Sequence, residues 1–121
     1  MTDSNTKIER IRELNDHVRQ CITSPWLIPS GVPAKIFKTS GIDALPIDEQ
    51  LTILTAVRDF NDFTEDNDPH GEHDFGSLEH NGQKIFWKID YYALDMMHGS
   101  ENPADPSQTV CVLTIMLAEE Y

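Results

Sequence analysis

One dipeptide, Asn81-Gly82, constrains the fold of this chain more than any other part of its sequence. Both residue types tolerate a positive φ angle, and a two-residue type I′ hairpin turn requires positive φ at both central positions. If the dipeptide forms that turn, counting outwards pairs Glu79 with Lys84 and Gly76 with Trp87. The first pair joins opposite charges and the second leaves room for the largest side chain, so the register is favourable. The sequence therefore predicts an antiparallel β-hairpin centred on this dipeptide.

Two amphipathic segments are predicted to be helices. The first has apolar residues at helical spacing, begins with a capping box at Thr6 and Glu9, and ends before Pro25. The second begins near Pro46, a residue that suits the first turn of a helix, and ends near Asn61. We expect its core-facing stripe to consist of Ile47, Leu51, Leu54, Val57 and Phe60.

The remaining regular segments are predicted to be strands. Residues 35–39 form a short strand, and residues 109–118 are apolar on both faces, as is typical of a central strand. Three apolar residues of the Pro-rich connection are expected to pack against the core: Trp26, Leu27 and Ile28. The order of elements predicts an α+β fold in one domain over residues 1–121. Its small antiparallel sheet has about four strands, including the 75–91 hairpin, with two helices packed on one face.

Charge is distributed unevenly between the two halves of the chain. Residues 1–58 hold seven basic and seven acidic residues, whereas residues 59–121 hold two basic and fourteen acidic ones. The formal charge of −12 therefore belongs to the second half. Its densest part is the segment 61–76, where acids and histidines occur without lysine or arginine. A concentrated negative surface repels nucleic acid and attracts cations or basic proteins.

Location is indicated by the apolar segments and the cysteines. No apolar stretch has the roughly 20 residues that a membrane span requires, and the N-terminal residues do not resemble a signal peptide. Cys21 and Cys111 lie in apolar patterns without a CxxC partner. That context favours two buried thiols over a disulfide or a zinc ribbon. The expected location is the cytoplasm, without membrane association.

Most of residues 57–121 resembles a known family. The matching segments are AVRDFNDFTEDNDPHGEHDFG, KIFWKIDYY, ENPADPS and VLTIMLAEEY, and the strings ELND and GIDALP fit as well. They resemble an uncharacterised proteobacterial family of domains of unknown function, DUF3768. The resemblance implies no particular activity. Members of that family are often carried by plasmids and other mobile elements, so the resemblance implies a role in anti-defence or transfer.

The histidine- and acid-rich segment offers an alternative function, metal binding. Residues 66–71 begin like an EF-hand calcium loop, but Ser77 stands at the twelfth position, where that loop requires glutamate. Four nearby residues carry imidazole and carboxylate groups that suit zinc, manganese or iron: His70, Glu72, His73 and Asp74. His80 or His98 would complete the shell. A small enzyme that uses a divalent metal as its cofactor is therefore an alternative.

Catalysis without a metal has less support in the sequence. His73 and Asp90 become cross-strand partners if the hairpin register is extended, and such a pair suits proton transfer. An ordinary surface hydrogen bond between the two is the more common case. The chain contains no GxSxG string and no glycine-rich phosphate loop. We therefore assign no catalytic residue and expect a protein that is not an enzyme.

The favoured hypothesis is a non-catalytic protein whose acidic surface binds a basic partner. Carboxylates on a rigid surface imitate the phosphates of a duplex, which carries one charge per ~1.7 Å of axis. The partner would then be a nucleic-acid-processing enzyme, and the protein an inhibitor of a defence system of the anti-CRISPR or anti-restriction type. The leading carboxylates are predicted to be Asp59, Asp62, Glu65, Asp66, Asp68, Glu72 and Asp74. A second set would extend the surface: Glu101, Asp105, Glu119 and Glu120.

Two other interpretations stay open. An acidic surface that only confers solubility is common among small proteins. A structural or regulatory homo-oligomer is the other, with a contact face formed by Trp87, Tyr91 and Tyr92.

Overall fold

A computed structural model describes residues 3–121, with side chains from Thr6 onwards. The helices are α1 (Asp3–Gln20), the short α2 (Ser40–Asp43) and α3 (Ile47–Arg58). The strands are β1 (Ala34–Lys38), β2 (Phe75–His80), β3 (Gln83–Tyr92) and β4 (Val110–Leu117). Single 3₁₀ turns occupy Pro25–Leu27 and Ala118–Glu120. In the described part of the chain, no helix is both long enough and apolar enough to cross a membrane.

The four strands form one sheet in the order β1-β4-β3-β2. β3 is antiparallel to both of its neighbours, whereas β1 is parallel to β4. The parallel pair is possible because the chain crosses over through the helices and the hairpin between those two strands. The predicted α+β class with four strands is confirmed, and the sheet is mostly antiparallel. The predicted central strand is confirmed as well, since β4 lies between β1 and β3.

The hairpin forms at Asn81-Gly82 with the predicted register. Asn81 has a φ of 50° and Gly82 a φ of 80°, as a type I′ turn requires. Gly76 lies directly opposite Trp87, and a Cβ at position 76 would overlap the indole nitrogen. The glycine therefore leaves room for the fully buried Trp87 side chain against the neighbouring strand.

Helix α1 buries the apolar stripe expected of it. Ile11, Leu14, Val18 and Ile22 are all buried, and Val18 and Ile22 belong to the main core cluster. The predicted capping box is wrong, because α1 already begins at Asp3 and places Thr6 inside the helix.

Helix α3 buries only part of the stripe predicted for it. Val57 is fully buried, and Leu54 and the following Phe60 pack against the core cluster, as predicted. The buried residues of the helix are Gln50, Ile53 and Val57, whereas Ile47 is 67% exposed and Leu51 is exposed as well. Gln50 occupies a core position because its amide is fully bonded. It donates to the carbonyl of Leu45 at 2.8 Å and to that of Asp43 at 3.1 Å, and it accepts from Lys38 at 2.7 Å.

The connection between α1 and β1 also differs from the prediction. Trp26 is 79% exposed and Leu27 is exposed, so neither pins the connection to the core. The 3₁₀ turn at Pro25–Leu27 buries none of its residues. The core instead lies between the two long helices and the inner face of the sheet, where Trp87, Leu113 and Ile115 are fully buried.

Candidate functional site

The candidate site is the acidic loop, defined as residues 59–74 between α3 and β2. It lies against α1, which holds it through backbone carbonyls. The Arg12 Nε donates to the carbonyl oxygen of Gly71 at 2.7 Å. The Asn15 amide donates to that of Glu72 at 3.0 Å, and Asn15 is completely buried. Because a buried amide without a partner is costly, these bonds fix the path of the loop.

Arg19 holds the start of the acidic loop. The side chain is only 2% exposed, and its Nη1 lies 3.0 Å from the carbonyls of Val57 and Arg58 and 2.8 Å from that of Phe60. These carbonyls belong to the last turn of α3 and the residues just after it, where the helix dipole favours a cation. The guanidinium also stacks over the rings of Phe63 and Trp87, at 5.4 and 5.3 Å from their centroids. A further bond of 3.1 Å joins its Nη2 to the Asp16 carboxylate, so its positive charge is shared among backbone carbonyls, aromatic rings and one carboxylate of α1.

His73 links the far end of the acidic loop to α1. Its Nδ1 lies 2.8 Å from the carboxylate of Asp16, and its ring stacks on Phe63 with centroids 3.7 Å apart. Its backbone N–H donates to the Asp68 carboxylate at 3.2 Å, and its Nε2 lies 3.7 Å from the second oxygen of that group. Both ring nitrogens therefore face carboxylates of the same chain. This geometry makes His73 a structural link between the acidic loop and α1, with its side chain still 23% exposed.

The predicted pairing of His73 with Asp90 is wrong. The ladder between β2 and β3 ends at Phe75, opposite Lys88, and the carbonyl of Asp74 accepts the last bond from that side. The chain then turns away at His73, which has a φ of 56°. Asp90 instead pairs with Lys88, with 3.0 Å between Nζ and Oδ2.

Tyr91 completes the attachment of the acidic loop from the sheet. Its hydroxyl donates to Glu72 at 2.8 Å and accepts from Asn15 at 2.9 Å. Burial, together with the nearby charges of Glu72 and Asp74, raises the pKa of Tyr91. Burial likewise raises the pKa of Asp74, with the charge of Glu72 as a further cause. The inner side of the loop is therefore a hydrogen-bonded, partly buried region.

The structure divides the seven predicted partner-binding carboxylates into two groups. Four are bonded or shielded. Asp59 forms two bonds with Arg58 at 2.9 and 3.1 Å, Asp68 is 8% exposed, and Glu72 and Asp74 are half-buried. The Arg58 guanidinium lowers the pKa of Asp59. The other three, Asp62, Glu65 and Asp66, are exposed. Within the described residues these three form no ion pair.

The carboxylates predicted to extend this surface lie in two places. Glu101 and Asp105 belong to the loop that follows β3, at the same end of the sheet as the acidic loop. Glu119 and Glu120 follow β4 at the opposite end. Glu120 is also occupied, since it accepts from the Thr39 hydroxyl at 2.6 Å and from two backbone N–H groups at 2.9 Å.

The residues of the alternative metal site do not converge. His70 is exposed, whereas Glu72 and His73 are bonded to different partners. His80 binds Glu49 and His98 binds Asp95, each at 2.9 Å. Across residues 3–121, as far as side chains are described, no three His, Cys, Asp or Glu side chains are placed to hold a metal ion.

The structure also bears on the predicted contact face and on the cysteines. Trp87 is fully buried and the Tyr91 hydroxyl points inward to Asn15, so neither forms part of an exposed contact face. Cys21 and Cys111 are both free; Cys111 is buried as predicted, whereas Cys21 is only partly buried. Burial raises the pKa of Cys111 to about 11.

The residues that hold the loop were missed by sequence reasoning. Arg12, Asn15, Asp16 and Arg19 lie beside the apolar stripe of α1 and make the bonds described above. The available signal was their position, since Asn15 and Arg19 are polar residues four apart next to Leu14 and Val18. Polar residues next to a buried stripe need partners, and here the acidic loop supplies them.

Comparison with known proteins identifies one family. Residues 38–120 match the family model described as Protein of unknown function (DUF3768). No curated protein and no solved structure matches the chain at a significant level. The match covers the end of β1 to the final 3₁₀ turn, and therefore includes the acidic loop but not α1.

Proposed function

The chain belongs to the DUF3768 family of proteins of unknown function, and we propose that it is a small non-catalytic protein that binds a basic partner. The contact surface is the outer side of the acidic loop, with Asp62, Glu65 and Asp66 at its centre and Asp59 beside them. One observation carries this proposal. The three central carboxylates are exposed and unpaired within the described residues, although three arginines contact the same loop.

Those arginines could have neutralised the loop, but Arg58 forms its ion pair with Asp59 and the other two are bonded elsewhere. Arg12 donates to the carbonyl of Gly71, and Arg19 donates to three carbonyls and to Asp16. Carbonyl oxygens carry only partial charge, so the formal charges of Asp62, Glu65 and Asp66 are left without a neutralising partner there. A cationic surface that approaches from solvent meets them directly, and complementary charge speeds association and selects the partner.

The attachment to α1 also makes the surface rigid. The loop is held at Gly71, Glu72 and His73, and the Thr64 N–H and Asn67 side chain form a further internal bond of 2.8 Å. Ordering a loop on binding costs free energy, and a loop that is ordered beforehand avoids most of that cost. The fixed carboxylates are thus suited to a specific partner, beyond a general effect on solubility.

The partner we propose is a nucleic-acid-processing enzyme of a defence system, which the protein would inhibit by occupying its basic channel. Exposed carboxylates replace duplex phosphates in that role, and the net charge of −12 disfavours direct binding of nucleic acid. A cytoplasmic location belongs to the same proposal, because two free cysteines persist in a reducing compartment.

The test is capture of a partner from the native cell, with a neutralised variant and a matched control. The variant Asp62→Asn/Glu65→Gln/Asp66→Asn removes three charges from the acidic loop. The control Asp48→Asn/Glu79→Gln/Glu119→Gln removes three exposed charges at the other end of the sheet. We expect the wild type and the control to capture the same basic protein, and the loop variant to lose it.

Competition with a duplex oligonucleotide tests the mimicry. If the protein replaces nucleic acid, the duplex releases the captured partner, whereas release by salt alone supports a basic partner of another kind. Equal capture by the loop variant and the control would show that overall charge, and not the acidic loop, is responsible.

A further inference from the structure

The outer face of the sheet carries a second candidate site, unrelated to the acidic loop. The helices cover the inner face, and the outward side chains of the three adjoining strands β1, β4 and β3 line a cavity of about 550 Å³. Its apolar lining comprises Phe37, Tyr92, Met96, Val112, Met116 and Tyr121. We call it the outer-face cavity. Its volume lies in the range of about 300 to 1,000 Å³ that small-molecule sites occupy.

Two segments outside the sheet form the walls of the cavity. The turn after β3 folds back through a bridge between Tyr92 and Gly99 and a bond from the Ala93 N–H to the His98 carbonyl at 2.8 Å. That turn carries Met96 into the lining. On the other side, Tyr121 contacts Phe86 with ring centroids 5.8 Å apart. The result is a concave site rather than a flat sheet face.

The charged groups in the lining are already neutralised or bonded. Lys88 and Asp90 pair with each other at 3.0 Å. Glu120 accepts from the Thr39 hydroxyl and from the N–H groups of Gly41 and Leu117. A charged ligand would have to break one of these interactions and would lose its own hydration as well. An uncharged ligand has neither penalty.

The net charge of the chain also disfavours an anionic ligand. The net charge of −12 repels fatty acids, nucleotides and other anions, and Lys88 is not free to attract them. Methionine at two positions of the lining allows the cavity to adapt its shape, because that side chain is flexible and polarizable.

We propose that the outer-face cavity binds an uncharged, mainly apolar small molecule. This function is independent of the acidic loop, which lies beyond the end of β3 and contributes no residue to the lining. The protein would therefore bind a small molecule at this cavity as well as a protein partner at the acidic loop.

Fluorescence of the uncharged dye Nile red tests the proposal, with the anionic dye anilinonaphthalene sulfonate for comparison. We expect saturable Nile red binding and much weaker binding of the anionic dye. The variant Thr114→Phe places a ring in the cavity from the middle of β4. It should weaken Nile red binding by about tenfold or more. The matched control Thr52→Phe adds the same ring to the exposed side of α3 and should leave binding unchanged.

Three results would overturn the proposal. The first is the absence of saturable Nile red binding, and the second is equal affinity for the two dyes. The third is loss of binding in Trp26→Ala/Leu27→Ala, which would place the dye on that exposed pair and not in the cavity. If Thr114→Phe does not fold, an NMR titration of the wild type with Nile red tests the site instead. The methyl resonances of Met96 and Met116 should then shift. A shift confined to Met97, or none, contradicts the proposal.

Discussion

The imidazole of His73 lies flat on the phenyl ring of Phe63, with centroids 3.7 Å apart and planes 3° from parallel. Asp16 holds the same imidazole from α1 at 2.8 Å. His73, which has a positive φ of 56°, thus joins Phe63 of the acidic loop to the first helix. The rigidity of the proposed binding surface depends on this contact.

Replacing His73 should therefore loosen the acidic loop. We expect His73→Ala to lower the free energy of unfolding by about 1–3 kcal/mol, because stacking is lost and the partly buried Asp16 loses a partner. Denaturant unfolding measures this. The control is His98→Ala, at an exposed histidine paired only with Asp95, where the change should stay within about 0.5 kcal/mol. Equal effects of the two substitutions would contradict the role given to His73.

Substitution of Arg19 is expected to lower the free energy of unfolding more than substitution of His73. Arg19→Met removes the donor to three carbonyls and should cost about 3 kcal/mol or more, because buried acceptors are left without a partner. Arg19→Lys should restore little of that loss, since an ammonium lacks the planar geometry of the guanidinium. At the exposed Arg10, which pairs only with Glu13, Arg10→Met should cost about 1 kcal/mol at most. Full rescue by lysine would show that charge alone is required.

Removing the charge of the partly buried Asp74 should stabilise the protein, by an amount that depends on pH. Its pKa is raised in the folded protein by burial and then by the charge of Glu72, so the fold favours the neutral carboxyl. Stability from this group is complete below the unfolded pKa, about 3.9, and is lost as pH rises through the folded value. Asp74→Asn should therefore raise the melting temperature relative to wild type at pH 7 and not at pH 3.

Asp105 provides the control of opposite sign. Bonds from Ser107 and Gln108 lower its pKa, so its charged form is favoured by the fold. Asp105→Asn should lower the melting temperature relative to wild type at pH 7, and the difference should vanish at low pH. Melting curves of both variants across this range measure the effect. A gain from Asp74→Asn that does not change with pH would exclude ionisation as its cause.

Gly76 is predicted to be indispensable to the hairpin. Gly76→Ala places a methyl group against the indole of Trp87 and should cost about 1–3 kcal/mol through overpacking. At Gly31 no atom lies within 4 Å of the point that an alanine methyl would occupy, so Gly31→Ala should be tolerated. Thermal unfolding distinguishes the two. A neutral Gly76→Ala would mean that Trp87 can move aside.

Interactions between residues close in sequence leave a local pattern, whereas contacts between distant segments do not. The Asn81-Gly82 turn and the pairing of Gly76 with Trp87 were predictable because turn geometry and register are properties of adjacent residues. The burial of Gln50 in α3 was not predictable, because it depends on bonds to Lys38, Asp43 and Leu45. A hydrogen-bonded glutamine in the core has no hydrophobic signature.

The candidate site was only partly predictable for the same reason. Extending the hairpin register beyond Phe75 placed His73 opposite Asp90, whereas its conformation is set by Asp16 and Phe63 from other parts of the chain. The side chains of α1 that hold the acidic loop bond largely to its backbone carbonyls. Any residue can supply a carbonyl, so the sequence carries no sign of the acceptor.

The most direct test of the proposed function is the salt dependence of affinity for the captured partner. The dissociation constant should be measured between low and physiological salt for wild type and for Asp62→Asn/Glu65→Gln/Asp66→Asn. We predict that wild-type affinity falls steeply as salt rises and that the variant binds weakly with a much shallower slope, because its screened attraction is gone. The same slope and affinity in both proteins would contradict a binding surface centred on the acidic loop.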